Sequence, residues 1–252
     1  ILSWTRGTYF GPELMGHPDL NIDITSVGPL LKPSIVNKLQ QNYLNDMENN
    51  YKEWMQKTLE TERKDWNSEN SPAESVNNCY STGTPVIIFK MIHDNLDVTN
   101  TIGPDLTQKA LALGMDQVRN FGKMYREAII ELKKKHFENR NLIPYFTHHM
   151  ITILNNCLQF QELAEKMRKT YETMNGHFLA IPNYDSLLQT FRSLRDEAAL
   201  YLLEEAFMDL DSHFQDLITP KWMSSSIPID TICVTLEDYF QVRKSSLIFD
   251  NL

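Results

Sequence analysis

Apolar residues along this chain recur at steps of three and four over long distances, the spacing that places side chains on one face of an α-helix. The clearest run lies in 144–172, where Met150, Ile153, Cys157, Phe160, Ala164, Met167 and Tyr171 alternate three and four without a break. It predicts a seam for close antiparallel packing. Lys32-Pro33-Ser34 opens a helix over 33–65 with Val36, Leu39, Tyr43, Met47, Tyr51, Trp54 and Leu59 as its stripe. Thr84-Pro85 reads as a cap and a first-turn proline, starting a helix over 85–100. Gly103-Pro104 breaks it and begins another over 104–138, with Leu106, Ala110, Leu113, Phe121, Tyr125, Ala128 and Leu132 on one face.

After the loop "MNGHFLAIPN", Asp185 starts a helix over 185–218 whose stripe is Leu187, Phe191, Leu194 and Ala198. The stripe then moves by one residue to Leu203, Phe207, Leu210, Phe214 and Leu217, so the buried face is expected to rotate along the helix. Pro228 and Asp230 open a last helix over 228–243, and the polar stretch Trp66 to Gly83 reads as a loop. No window sustains period-two alternation bounded by hairpin turns, so no strand is predicted. The pattern is that of an all-α protein of stacked antiparallel helices. Residues 1–32 are expected to hold the end of a preceding helix and a linker, and 33–252 the bundle region, in one or two sub-bundles.

Composition narrows the function. At 252 residues and 42% hydrophobic content the chain can bury a substantial core, and no apolar run approaches the ~20 residues that span a bilayer. A mean hydropathy of −0.38 describes a soluble protein. Cys79, Cys157 and Cys233 are far apart, odd in number and form no CxxC pair, which favours reduced thiols in a cytosolic compartment. Cys157 falls on an apolar heptad position, as a small buried hydrophobe. The net charge of −9 argues against nucleic acid, whose phosphates require a clustered basic surface.

The motifs of catalysis are missing. His148 and His149 are adjacent and so point about 100° apart on a helix, unlike the i, i+4 pair that shares a zinc. His93, His136 and His213 lack a second ligand at usable spacing, and there is no HExxH, GxGxxG, GxxxxGK[ST] or GxSxG. No catalytic residue, metal or cofactor is therefore assigned. An enzyme of unfamiliar type would need a polar pocket lined by groups with shifted pKa values.

Charge clusters remain as candidates for binding. Lys133, Lys134, Lys135 and Arg140 form one basic group, and Lys166, Arg168 and Lys169 another. On an antiparallel helix pair the two lie at opposite ends, each near a helix C-terminus whose dipole favours cations. Between Asp196 and Pro220 there are seven carboxylates and no Lys or Arg. Glu204, Glu205, Asp209, Asp211 and Asp216 make up the candidate docking face, to be weighed against a face that only solvates the helix.

The order "LLEE.F.DL..H...L...KW" from Leu202, then "D.ICVT.EDYF" from Asp230, resembles the third subunit of the exocyst, the complex that tethers secretory vesicles. "KTLETERKDW" (Lys57 to Trp66), "PVIIFKM" with "NLDV" (Pro85 to Val98), "KKKHFENR" (Lys133 to Arg140) and "MITILNNC" (Met150 to Cys157) follow the same family order, from about Gly28 to Phe240. Tumour-necrosis-factor-inducible membrane-tubule-forming proteins are relatives of this family. In the family a basic segment follows the "EDYF" run and leads into a further bundle, whereas here "QVRKSSLIFDNL" follows. Together with the amphipathic start at Leu2, Trp4 and Tyr9, this leads us to expect a middle-to-C-terminal piece of a longer helical protein.

The resemblance implies an elongated helical rod, as in tethering-complex subunits, that is non-catalytic and acts through protein contacts. Its implied partners are other exocyst subunits and SNARE proteins, with small GTPases indirectly. The implied location is cytoplasmic, with peripheral attachment at plasma-membrane sites of secretion. The alternative is a relative that binds phosphoinositide membrane and remodels it.

Overall fold

The structure is a computed structural model that describes residues 31–68, 79–175, 181–216 and 219–246. The helices in chain order are α1 (Pro33–Trp66), α2 (Thr84–Ile102), α3 (Pro104–Glu138), α4 (Phe146–Asn175), α5 (Tyr184–Gln215), the short α6 (Pro220–Ser224) and α7 (Ile227–Ser246), with a 3₁₀ turn at Arg140–Leu142 after α3. No β-strand occurs among the described residues. Most of residues 1–32, for which the end of a preceding helix and a linker are expected, lies outside them, as do 69–78 of the polar loop.

Side-chain pairs fix the directions of the helices. Gly114 of α3 lies against Ile92 of α2, so the two run antiparallel about the Gly103-Pro104 break. Phe121 meets Phe160 while His136 meets Phe146, which makes α3 and α4 antiparallel as well. Phe160 stacks on Phe191, and Glu165 accepts from the hydroxyl of Tyr184, so α5 folds back along α4. Two antiparallel steps leave α3 and α5 parallel, with Arg126 paired to Glu197 and Lys133 to Glu204. Helix α3 is the central element, packed on α1, α2 and α5.

Two glycines let neighbours approach α3 closely. A Cβ at Gly114 would lie 2.8 Å from Ile92 Cγ2, and one at Gly122 would lie 2.8 Å from Thr190 Cγ2. Both distances are shorter than side-chain contacts allow, so these positions fix how near α2 and α5 come.

The α4 seam is buried along its whole length, from Met150 through Phe160 to Tyr171, and Cys157 is fully enclosed within it. Phe160 joins three other helices, with Phe191 of α5 at 4.3 Å between ring centroids, Phe121 of α3 at 5.6 Å and Phe89 of α2 at 6.2 Å. Helix α1 departs from the expected stripe. Leu39 and Trp54 are exposed, while Met55 and Glu62 join Met47, Tyr51, Leu59 and Trp66 in the buried face. The face steps 47, 51, 55, 59, 62, 66 and crosses a carboxylate, which a count of apolar residues passes over.

Glu62 is held by neutral donors from three elements. Tyr125 Oη donates to its Oε1 at 2.6 Å, Asn156 Nδ2 donates to the same oxygen at 3.1 Å, and Thr84 Oγ1 donates to Oε2 at 2.7 Å. Asn156 also takes the amide of Thr82 at 3.1 Å, pinning the end of the polar loop. Burial raises the pKa of Glu62 above the ordinary carboxylate range. The cluster ties α1, α2, α3 and α4 together. Glu62→Leu, which takes the acceptor from the buried hydroxyls of Thr84 and Tyr125, is expected to cost about 3 kcal/mol or more, whereas Glu62→Gln is expected to cost about 1 kcal/mol. Equal urea midpoints for the two variants would show that the donors find other partners.

His149 gives the fold a pH dependence of defined sign. Burial, with a smaller push from His148, lowers its pKa to about 4 from 6.5. Above pH 6.5 the ring is neutral whether the chain is folded or not. Between there and about 4 the unfolded chain takes up a proton that the folded chain refuses, so stability falls with pH and levels off below. The full loss is roughly 3 kcal/mol, at ~1.4 kcal/mol for each tenfold in proton affinity. Urea titrations at several pH values across this window should show His149→Phe with a shallower decline than the parent. Parallel curves would assign the decline to carboxylates.

Candidate interaction surface on the fifth helix

The second half of α5 and its C-cap residue carry the acidic residues singled out from the sequence, and the structure distributes them over different surroundings. Glu205 is 4% exposed, with His136 Nε2 2.8 Å from Oε2 and Arg140 Nε donating to Oε1 at 3.0 Å. The His136 ring stacks on Phe146 at 4.0 Å. Arg140 also donates through Nη1 to Asp209 Oδ1 at 2.5 Å, and Tyr239 of α7 donates to Asp209 Oδ2 at 2.8 Å. Arg140 lowers the Asp209 pKa, with a smaller contribution from Tyr239, while Asp209 and Glu205 hold Arg140 charged. This ion cluster joins the end of α3, the 3₁₀ turn, α5 and α7.

Glu204 points outward to Lys133, whose Nζ is 2.5 Å from Oε2 and 4.1 Å from the centroid of the Tyr201 ring. Asp211 is exposed and accepts from Gln215 Nε2 at 2.6 Å. Asp216 caps the C-terminus of α5, where its carbonyl accepts from Thr219 Oγ1 at 2.6 Å. The expected acidic face therefore loses Glu205 to the interior and has Glu204 and Asp209 bound within the chain.

The predicted apolar stripe of this helix needs correcting too. Leu187, Phe191, Leu194 and Ala198 are buried as expected, Leu210 of the shifted stripe is buried as well, and between them the interior face passes through Glu205 and Ala206. Leu203 and Phe207, placed in the core by the shifted stripe, are 45% and 51% exposed, and Leu200 beside them is 56% exposed. Leu217 lies outside the described residues. The buried face does turn, by about 80° to 120° from Ala198 to Ala206 and Leu210 at 100° per residue, but not as far as Leu203 and Phe207. A carboxylate paired with His136 and Arg140 fills the core position, which leaves the neighbouring apolar residues outside.

Two sequence signals mark the cluster. His136 stands four residues after Leu132 in the α3 stripe, and Glu205 stands seven after Ala198 in the α5 stripe, so each sits at a core position. Most members of the basic groups are also engaged. Lys133 and Arg140 serve the contacts above, and Arg168 and Lys169 pair with Glu165, whose pKa falls to about 2 chiefly through the Arg168 hydrogen bond.

As chemistry, the surface offers charge and apolar contact. Among the described residues no group of three or more His, Cys, Asp or Glu is placed to hold a metal, and no helix is long and apolar enough to cross a membrane. Glu62 has the raised pKa of a candidate acid, but donors occupy both of its oxygens.

Comparison with known proteins bears on the whole chain. The protein-family model described as "Exocyst complex component Sec6" matches residues 1–247. Exocyst complex component 3 of Drosophila melanogaster is 48% identical over 244 residues, covering 96% of this chain and 32% of that protein. In fold, the chain is similar to the crystal structure of the C-terminal domain of the exocyst subunit Sec6p, with a TM-score of 0.74, 17% identity and coverage of 87% of this chain and 60% of the other. It is also similar to the crystal structure of M-Sec, with a TM-score of 0.70, 20% identity and coverage of 98% and 40%. The chain spans about a third of the length of the relatives it matches in sequence. With a family match along nearly its whole length and close to half its residues shared with the fly protein, the chain belongs to the exocyst component Sec6 family.

Proposed function

We propose that this chain is part of a non-catalytic subunit of a vesicle-tethering complex, helping to hold secretory vesicles at the plasma membrane through contacts with other exocyst subunits and with SNARE proteins. Small GTPases reach it indirectly. The protein is cytoplasmic and attaches to the membrane peripherally, through the complex. The observation that carries this reading is the family match over residues 1–247, with 48% identity to an exocyst component. The fold is compatible with it, since long packed helices span distance and present shallow surfaces to several partners. A pulldown from cytosol followed by mass spectrometry tests the reading. Other exocyst subunits in the eluate support it, and an eluate of unrelated proteins overturns it.

The alternative, phosphoinositide binding with membrane remodelling, requires a dense basic face free to meet anionic lipid. Lys133, Arg140, Arg168 and Lys169 are instead engaged with carboxylates of the same chain. Flotation with phosphoinositide liposomes separates the two readings, because the tethering reading expects the isolated chain to stay at the bottom of the gradient.

A further inference from the structure

The exposed apolar stripe on α5 is a cost that the fold itself does not explain. Leu200, Leu203 and Phe207 are each about half exposed and stand within about 60° of one another around the helix, at 100° per residue. Phe214 extends the stripe, its ring 5.9 Å from that of Phe207. At Leu203 the stripe meets an apolar groove lined also by Ala206 of α5, Ile151 of α4, and Leu236 and Tyr239 of α7. Contiguous apolar surface of this kind, with an aromatic near its centre, marks interaction sites.

The surroundings are acidic. Asp211 stands exposed beside the stripe, Asp196 does so while paired with its neighbour Arg195, and Asp230, Glu237 and Asp238 are exposed on α7. Lys133 and Arg126 reach in from α3 but pair with Glu204 and Glu197. A second copy docking through the same face would set acid against acid, and anionic lipid would meet the same repulsion. From the stripe and its charge we infer that this face docks an amphipathic helix of a partner protein, with apolar residues at three- and four-residue spacing against Leu200, Leu203 and Phe207 and with Lys or Arg along its flanks. The inference goes beyond the tethering reading and does not depend on it.

The test uses the full chain and three synthetic eighteen-residue peptides: one with a leucine stripe flanked by lysines, one with the same stripe flanked by glutamates, and one with the lysine composition scrambled to destroy the stripe. Fluorescence anisotropy should show the lysine peptide binding roughly tenfold or more tighter than either other peptide, with affinity falling as salt rises. L203S/F207S should weaken the lysine peptide by roughly tenfold while leaving the melting temperature unchanged, because both residues are exposed. D196K/D211K should narrow or invert the preference between the lysine and glutamate peptides. Equal binding of striped and scrambled lysine peptides, or binding unaffected by L203S/F207S, overturns the inference. A concentration-dependent dimer in analytical ultracentrifugation that F207S dissolves also overturns it, by showing that a second copy covers the face.

Discussion

Replacing Phe160 by Asp is expected to abolish the cooperative melt of this protein at neutral pH. The ring is fully buried and touches aromatic rings from α2, α3 and α5, so it joins four helices at one point. Truncation to Ala alone costs ~3 to 5 kcal/mol for a buried Phe. A carboxylate at the same place has no donor waiting for it, and burying it unpaired, or protonating it to avoid that, costs several kcal/mol more. The sum approaches the ~5 to 15 kcal/mol by which domains are stable at all. Met150→Asp, on the same seam two turns or more upstream, is expected to act alike. Phe160→Leu serves as the control, with a loss of about 1 to 2 kcal/mol. Circular dichroism melts decide the matter, and a soluble Phe160→Asp variant with the parental midpoint would show that the seam is not the core.

That seam is also where the sequence was most legible. Every position of the predicted α4 seam from Met150 to Tyr171 is buried, because this face of the helix is covered along its length and carries no charge. Legibility failed where the interior is polar. Glu62 in α1 and Glu205 in α5 both occupy inward positions that a count scoring carboxylates as surface passes over. Near Glu205 the stripe shifts to the apolar neighbour Leu203, which is exposed, and in α1 the count picks Trp54 as the inward residue where Met55 fills the place. The physical reason is that a carboxylate can be buried once its oxygens are fully bonded, and its donors lie more than twenty residues away in the chain, most of them more than sixty, beyond any local pattern. The same displacement hid the exposed stripe. Residues counted as core were surface, and an acidic face that looked continuous in sequence proved to be partly an internal ion cluster.

The adjacent residues Glu204 and Glu205 therefore offer a sharp contrast, since reversal of one is expected to be tolerated and reversal of the other is not. Glu205→Lys places an ammonium in a nearly sealed site against Arg140 and beside His136, and it removes the acceptor on which both depend. Breaking one partner out of a buried pair costs about 3 to 5 kcal/mol, and here a like charge is added. The loss should also reach α7, because Arg140 orients the Asp209 carboxylate that accepts from Tyr239. Amide exchange in Ile227–Ser246 is thus expected to quicken in this variant before the rest of the chain opens. Glu204→Lys loses only the pairing to Lys133 at the surface, a change of less than about 1 kcal/mol that salt screens. Glu205→Gln separates charge from shape, because it keeps the volume and one acceptor, and should fall between the two. Urea midpoints ordered parent, Glu204→Lys, Glu205→Gln, Glu205→Lys from most to least stable are the expected result. Indistinguishable midpoints for Glu204→Lys and Glu205→Lys would mean that the Glu205 site is open to water and that its ion pairs contribute no more than surface ones.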